Sequence, residues 1–193
     1  MARKPREESA TGIYHFVTRG VNKKQLFHQK EDYAYFLELV KEYIKKLDMQ
    51  AYHYCLLTNH AHLVVSAPNL KALGQFGHFV HRRYAYYYCK THNWSEQVFR
   101  RHFRSKPIAD DAYLLECGRY IERNPVEAGL AQTPRDYPYS SYRFYAQGEE
   151  NPLLTESPLY PNFGNSPSER MAAYRMYVCH ERIEEVKKLT VPF

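Results

Sequence analysis

Residues 54–65 read Tyr54-Cys55-Leu56-Leu57-Thr58-Asn59-His60-Ala61-His62-Leu63-Val64-Val65, YCLLTNHAHLVV. Two apolar, β-prone runs flank a polar dipeptide, so the pattern predicts a hairpin. Its strands are 50–57 and 60–65, and Thr58-Asn59 is the tight turn. The second strand opens on two histidines spaced by one residue. Side chains alternate between faces of a strand with period two, so both imidazoles leave the sheet on the same side. Such a pair is either a metal clamp or a coincidence in a chain with ten histidines.

Working outward, 13–19 (IYHFVTR) reads as a first strand ending at Gly20. Residues 32–47 carry Phe36, Leu37, Val40, Ile44 and Leu47 on one stripe, which predicts a helix. Acidic Glu31 and Asp32 open it, and Lys45 and Lys46 close it, as the helix dipole favours. A second helix is expected over 70–88, with Leu73, Val80, Tyr84 and Tyr87 facing inward, and a fourth strand over 97–104. The order β-α-β-β-α-β gives an α+β fold, the split ferredoxin-like antiparallel sheet with helices on one face. A third helix is expected over 110–123 on the stripe Leu114, Cys117, Gly118 and Ile121, halted by Asn124-Pro125 because the residue before proline avoids the α region. Six of the eleven prolines then fall from Pro134 to Pro167, which predicts an irregular wrap. Ser166-Pro167-Ser168-Glu169 has the form of a capping box, opening a last helix toward 189. The expected organisation is a catalytic domain over 1–130, with 131–193 packed on it as a Pro-rich wrap and C-terminal helix.

The chain has 193 residues, 44% of them hydrophobic, enough for one core. No apolar run approaches the roughly 18 residues that a membrane span needs. The basic N-terminal stretch lacks the apolar centre of a secretion signal. Four scattered cysteines form no CxxC pair, so the expected location is the cytoplasm. Net charge is +6 and the pI about 9.0, a balance suited to a polyanionic partner. From His81 to Lys106 there are seven basic residues (Arg82, Arg83, Lys90, Arg100, Arg101, Arg104, Lys106) against one acid, Glu96. Tyrosines, Trp94, Phe99 and Phe103 lie among them. Basic groups hold phosphates and aromatic faces stack on unpaired bases, although the same composition also describes a charged surface over a core of rings. The Tyr84–Tyr88 run is read as packing rather than base stacking.

His60 and His62 can hold a divalent cation, but two ligands need a third. On the third helix, Tyr120 and Asn124 are i and i+4 and share a face, with Tyr120 at the rim of the buried stripe. Spacing alone does not separate this from ordinary packing, since the chain has 19 tyrosines. Together the groups form a chemical unit. A tyrosine hydroxyl can attack a phosphodiester and keep the 5′ phosphate, releasing a 3′ hydroxyl. A cation on two imidazoles and the Asn124 amide oxygen, magnesium or manganese by the hardness of that oxygen, would polarise the phosphate. The phosphotyrosine conserves the energy of the broken bond, so strand transfer needs no ATP.

With these residues in place, the sequence resembles the HUH single-tyrosine transposases, and within them the REP-associated tyrosine transposases. The resemblance rests on TGIYHFVTRGVNKKQLF (11–27), LLTNHAHLVV (56–65), FRRHFRS (99–105), YIERNPVEAGL (120–130) and DYPYSSYRFY (136–145), in the family's order. It implies that His60 and His62 are the HUH pair, Tyr120 the nucleophile and Asn124 the third metal ligand. It further implies a single-stranded DNA substrate folded into REP-type hairpins, cut beside a short guide sequence, and a monomeric enzyme, with a dimer of the kind formed by the insertion-sequence relatives as the alternative. Arg19 could reach the guide bases, and Arg82, Arg83, Arg100, Arg101, Arg104 and Lys106 are candidate DNA contacts. Ala61 stands where the family has a larger apolar residue, and Glu122 and Arg123 also depart from its pattern. Two other classes compete: a non-catalytic single-stranded nucleic-acid-binding module, and a zinc hydrolase built on His60, His62 and either His53 or a carboxylate, which lacks a helical HExxH spacing.

Overall fold

The computed structural model describes residues 6–100 and 102–180. Strands β1 (Ile13–Arg19), β2 (Gln50–Leu57), β3 (His60–Ser66) and β4 (Arg104–Pro107) form one antiparallel sheet in the order β2-β3-β1-β4. Helices α1 (Lys30–Lys46) and α2 (Leu70–Thr91) connect them as the split β-α-β-β-α-β pattern requires. Helix α3 (Asp111–Glu127) follows, then the short α4 (Tyr142–Gln147) and α5 (Pro167–Cys179).

The pleat sorts each strand onto two faces. Tyr14, Phe16, Ala61, Leu63 and Val65 join Phe36, Val40, Leu73, Phe76, Val80 and Tyr84 in a core beneath α1 and α2. Ile13, Cys55, Leu57 and Val64 face the other way and pack against Leu114, Cys117 and Ile121 of α3. Ala61 is fully buried, between Thr18 and Leu56 on the neighbouring strands. Helix α1 starts two residues before the expected 32, because Gln29 is its N-cap and Asp32 closes the capping box from the N3 position. On α2 the buried ring is Tyr88 rather than Tyr87, and Tyr84 and Tyr88 are both in the core.

The expected fourth strand, 97–104, is displaced. Among the described residues before Arg104, Phe99 alone bridges to the sheet, at Gly20, and the ladder begins at Arg104. Val98, Phe99 and Phe103 instead turn inward: Phe103 stacks on Phe16 at 4.6 Å and fills the space a side chain at Gly77 would need. Burial of three large side chains here outweighs extended pairing. Helix α3 also runs past its expected end at Asn124-Pro125. Pro125 is buried inside it, and the Ala128 N–H still donates to the Asn124 carbonyl at 2.9 Å. Proline removes one donor without unwinding a helix whose flanks are packed. The Pro-rich wrap is more ordered than expected. It contains α4, and residues 139–141 pair with β2 through Leu56 N to Tyr139 O and Ser141 N to Tyr54 O, both 2.9 Å. This covers the exposed edge of the sheet. Tyr137 and Tyr145 tie the same segment down by donating to the carbonyls of Leu56 (2.6 Å) and Tyr52 (2.7 Å). Ser166 and Glu169 form the predicted capping box of α5; the expected continuation toward 189 lies outside the described residues.

Helix α3 lies close on β2. A β-carbon at Gly118 would stand 2.8 Å from His53 Nε2. His53 cannot easily yield, since it stacks on Tyr145 and is bonded to Glu122. Gly118→Ala is therefore expected to lose about 1–2 kcal/mol, overpacking outweighing the roughly 1 kcal/mol that alanine gains in helix propensity. Urea unfolding measures this; a rise in stability would show that the two elements are not in close contact.

Candidate active site

Period-two alternation on β3 carries His60 and His62 to the α3 face, with ring centroids 5.0 Å apart. Each ring is oriented through Nδ1. His60 Nδ1 is 2.6 Å from Asn59 Oδ1, and His62 Nδ1 is 2.9 Å from His15 Nε2. The Nε2 atoms occupy the opposite edges of these rings. Tyr120, half-buried on α3, stands edge-on to His62 with centroids 5.6 Å apart at 90°, and 6.3 Å from His15. One turn further, the buried Asn124 side chain donates through Nδ2 to the Tyr120 carbonyl at 2.8 Å. One strand and one helix thus bring the predicted tyrosine beside His62 of the predicted histidine pair.

Burial keeps these imidazoles neutral. It pushes His60 down to about 4, helped by Arg19, and holds His62 well below its ordinary value, helped by His15, His60 and Arg19. His15 falls to about 3 by burial and the nearby Lys106. Neutral imidazoles are the ligand form, so a cation would meet no proton competition from the pair near pH 7. Among the described residues no group of three or more His, Cys, Asp or Glu is arranged to hold a metal ion. The two neutral imidazoles are the chemically suitable nitrogen donors for a divalent cation here, and two donors leave further positions for oxygen.

The candidate DNA contacts separate into groups. Arg19 lies directly across from His60 in the β1–β3 ladder and so shares its face. Arg104 pairs with Val17 and Lys106 with His15, which puts both on this same side at the edge strand. The sequence expectation that Arg100 and Arg104 share one strand face fails with the displaced β4. Arg100 is exposed in the preceding loop, its N–H donating to the Arg19 carbonyl at 2.8 Å. Arg82 and Arg83 are exposed on α2, in the layer across the sheet from α3. Arg101 lies outside the described residues.

Two residues of the site neighbourhood escape sequence reasoning. His15 sits on β1 in an otherwise apolar run; only the β1–β3 pairing brings it to His62. Glu122 is fully buried, accepting from Ser141 Oγ (2.7 Å), Tyr174 Oη (2.9 Å) and His53 Nδ1 (3.1 Å). It therefore ties α3 to β2, the start of α4, and α5. Arg123 donates to the Val178 carbonyl at 2.9 Å, and Arg119 donates to the His180 carbonyl. Both departures from the family pattern thus serve the α3–α5 interface.

A histidine pair on a central strand facing a helical tyrosine defines a candidate DNA-processing site on a ferredoxin-like sheet. Residues 9–124 match the family model for IS200-like transposases, well over half of the chain, and the protein belongs to that family. The fold is that of a solved REP-associated tyrosine transposase bound to a REP hairpin. The TM-score is 0.64 at 15% identity, over 81% of this chain and 93% of that one. Curated proteins yield no match. No helix among the described residues is long and apolar enough to cross a membrane.

The buried rings set a pH dependence. Unfolded, a histidine protonates near 6.5; folded, His15 and His81 do so near 3 and His60 near 4, with burial the leading cause in each. Between these values the unfolded chain binds more protons, so stability is full above about 6.5 and lost as pH falls. Each deeply buried ring contributes up to about 1.4 kcal/mol per pH unit. Urea midpoints of the chelated protein are expected to fall steadily from pH 7 to 5; a flat profile would contradict neutral, buried imidazoles.

Proposed function

We propose that this transposase is a divalent-metal-dependent endonuclease and strand transferase. Its substrate is single-stranded DNA beside REP-type hairpins, and it acts through a covalent 5′-phosphotyrosine. The observation that carries the reading is the edge-on stand of the Tyr120 ring 5.6 Å from the His62 ring, with His60 beside it. His60, His62 and the Asn124 amide oxygen are the proposed ligands of Mg2+ or Mn2+. When bound, the cation supplies Lewis-acid polarisation of the scissile phosphate.

The remaining work belongs to the chain. Tyr120 Oη attacks phosphorus, the bond to the 3′ oxygen breaks, and the 5′ phosphate stays on the tyrosine. The released 3′ end leaves as a hydroxyl. Attack by another 3′ hydroxyl on the phosphotyrosine restores the phenol and joins the strands. Arg19, across from His60, is suited to the phosphate undergoing attack, and Arg104 and Lys106 to the strand leading from it. Arg100 in the adjoining loop, Arg82 and Arg83 on the far layer, and Arg101, which lies outside the described residues, are proposed contacts to the hairpin stem. The guide sequence lies at the hairpin foot. The proposed division is a catalytic unit over 1–130 and a Pro-rich wrap with a C-terminal helix over 131–193. The hairpin reading is supported by the REP hairpin bound to the solved neighbour and by the basic residues beside the site, and the monomer reading by a tyrosine and histidines that come from one chain.

Wild-type protein with a labelled hairpin and Mn2+ should give an SDS-stable protein–DNA adduct. Tyr120→Phe should give none. His60→Ala should slow cleavage by about 100-fold or more while hairpin binding persists. A chelator should stop cleavage but not binding. An adduct in Tyr120→Phe would remove the nucleophile assignment, and binding without cleavage in any metal would favour a non-catalytic binding module.

A further inference from the structure

We propose that His15 is the positioning residue for His62, fixing which of its nitrogens faces the cation; this rests on the metal reading above. An imidazole ligates through one nitrogen, and the hydrogen bond at the other sets its tautomer and ring rotation. His62 Nδ1 lies 2.9 Å from His15 Nε2, and the two rings meet edge to edge, nearly coplanar, with centroids 5.1 Å apart and 24° between planes. For Nε2 of His62 to offer its lone pair, the proton must sit on Nδ1 and find an acceptor. His15 Nε2 is that acceptor, so His15 carries its own proton on Nδ1. At 2% and 4% exposure the two rings are shielded from water that could substitute for the bond.

The same geometry excludes His15 as a third ligand through Nε2. That atom is committed to the edge of His62 opposite its ligating nitrogen. His15 is itself held firmly. It lies on a central strand, opposite Val64 on one side and Lys106 on the other. His60 has a different support, Asn59 Oδ1 at the half-exposed hairpin turn. Loss of His15 should therefore disorient one ligand and leave the other alone.

The test reads metal affinity rather than activity. Mn2+ is titrated into the DNA-free protein and free Mn2+ is followed by EPR, for wild type, His15→Phe, His15→Gln and His62→Ala. His15→Phe should weaken Mn2+ binding about 10- to 100-fold with hairpin affinity unchanged, and His15→Gln, whose amide oxygen can accept from Nδ1, should recover most of it. Wild-type affinity in His15→Phe, with affinity lost in His62→Ala, would overturn the role of His15 and leave the metal reading intact. Unchanged affinity in His62→Ala would overturn both. Long-range 1H–15N spectra of the wild-type protein need no variant to fold: His62 protonated on Nδ1 is expected, and protonation on Nε2 would overturn the proposal.

Discussion

The close seating of α3 on β2 governs where the Tyr120 phenol stands. Contact at Gly118 and His53 leaves no room for a β-carbon, and Glu122 bonds the same histidine from one turn along the helix. A fully buried carboxyl group is costly to desolvate, and it tolerates that position only with its hydrogen bonds made. Here three donors, from β2, the start of α4 and α5, meet it at once. Each residue along a helix turns the face by about 100°, so a slip of one residue would swing Tyr120 away from His62 and strand Glu122. The register of α3 is thus fixed two residues from the tyrosine it presents.

The second constraint is the pleat of β3. His60 and His62 can share the α3 face only because Ala61, Leu63 and Val65 are held in the opposite core. A one-residue slip would exchange the two sets and bury charge-capable rings among phenylalanines. The neighbouring β1 then adds polar groups to the same face, His15 and Arg19. Across β1, β4 adds Arg104 and Lys106. A dry histidine cluster and a basic rim follow from one antiparallel register.

Much of this was legible in the chain. The hairpin at Thr58-Asn59, the β-α-β-β-α-β succession and the histidine face follow from local periodicity, and the tyrosine helix from its apolar stripe. What could not be read locally were choices decided by distant partners. Phe103 looks like a strand residue until Phe16 and Gly77 are seen to receive it. Pro125 looks like a helix stop until the helix is packed on both flanks. His15 looks like an isolated histidine until β1 is laid beside β3. Glu122 stands out in the sequence only as a departure from the family pattern, because its three donors come from segments 69 residues before it and 19 and 52 residues after it.

The most direct measurement is a crystal of the protein grown with Mn2+ and a hairpin oligonucleotide, with anomalous scattering used to locate the cation. The account requires a manganese peak bonded to Nε2 of both His60 and His62, with a phosphate oxygen on the metal and the Tyr120 hydroxyl aimed at that phosphorus. A peak elsewhere, or a DNA strand that passes the histidine pair without approaching Tyr120, would contradict it.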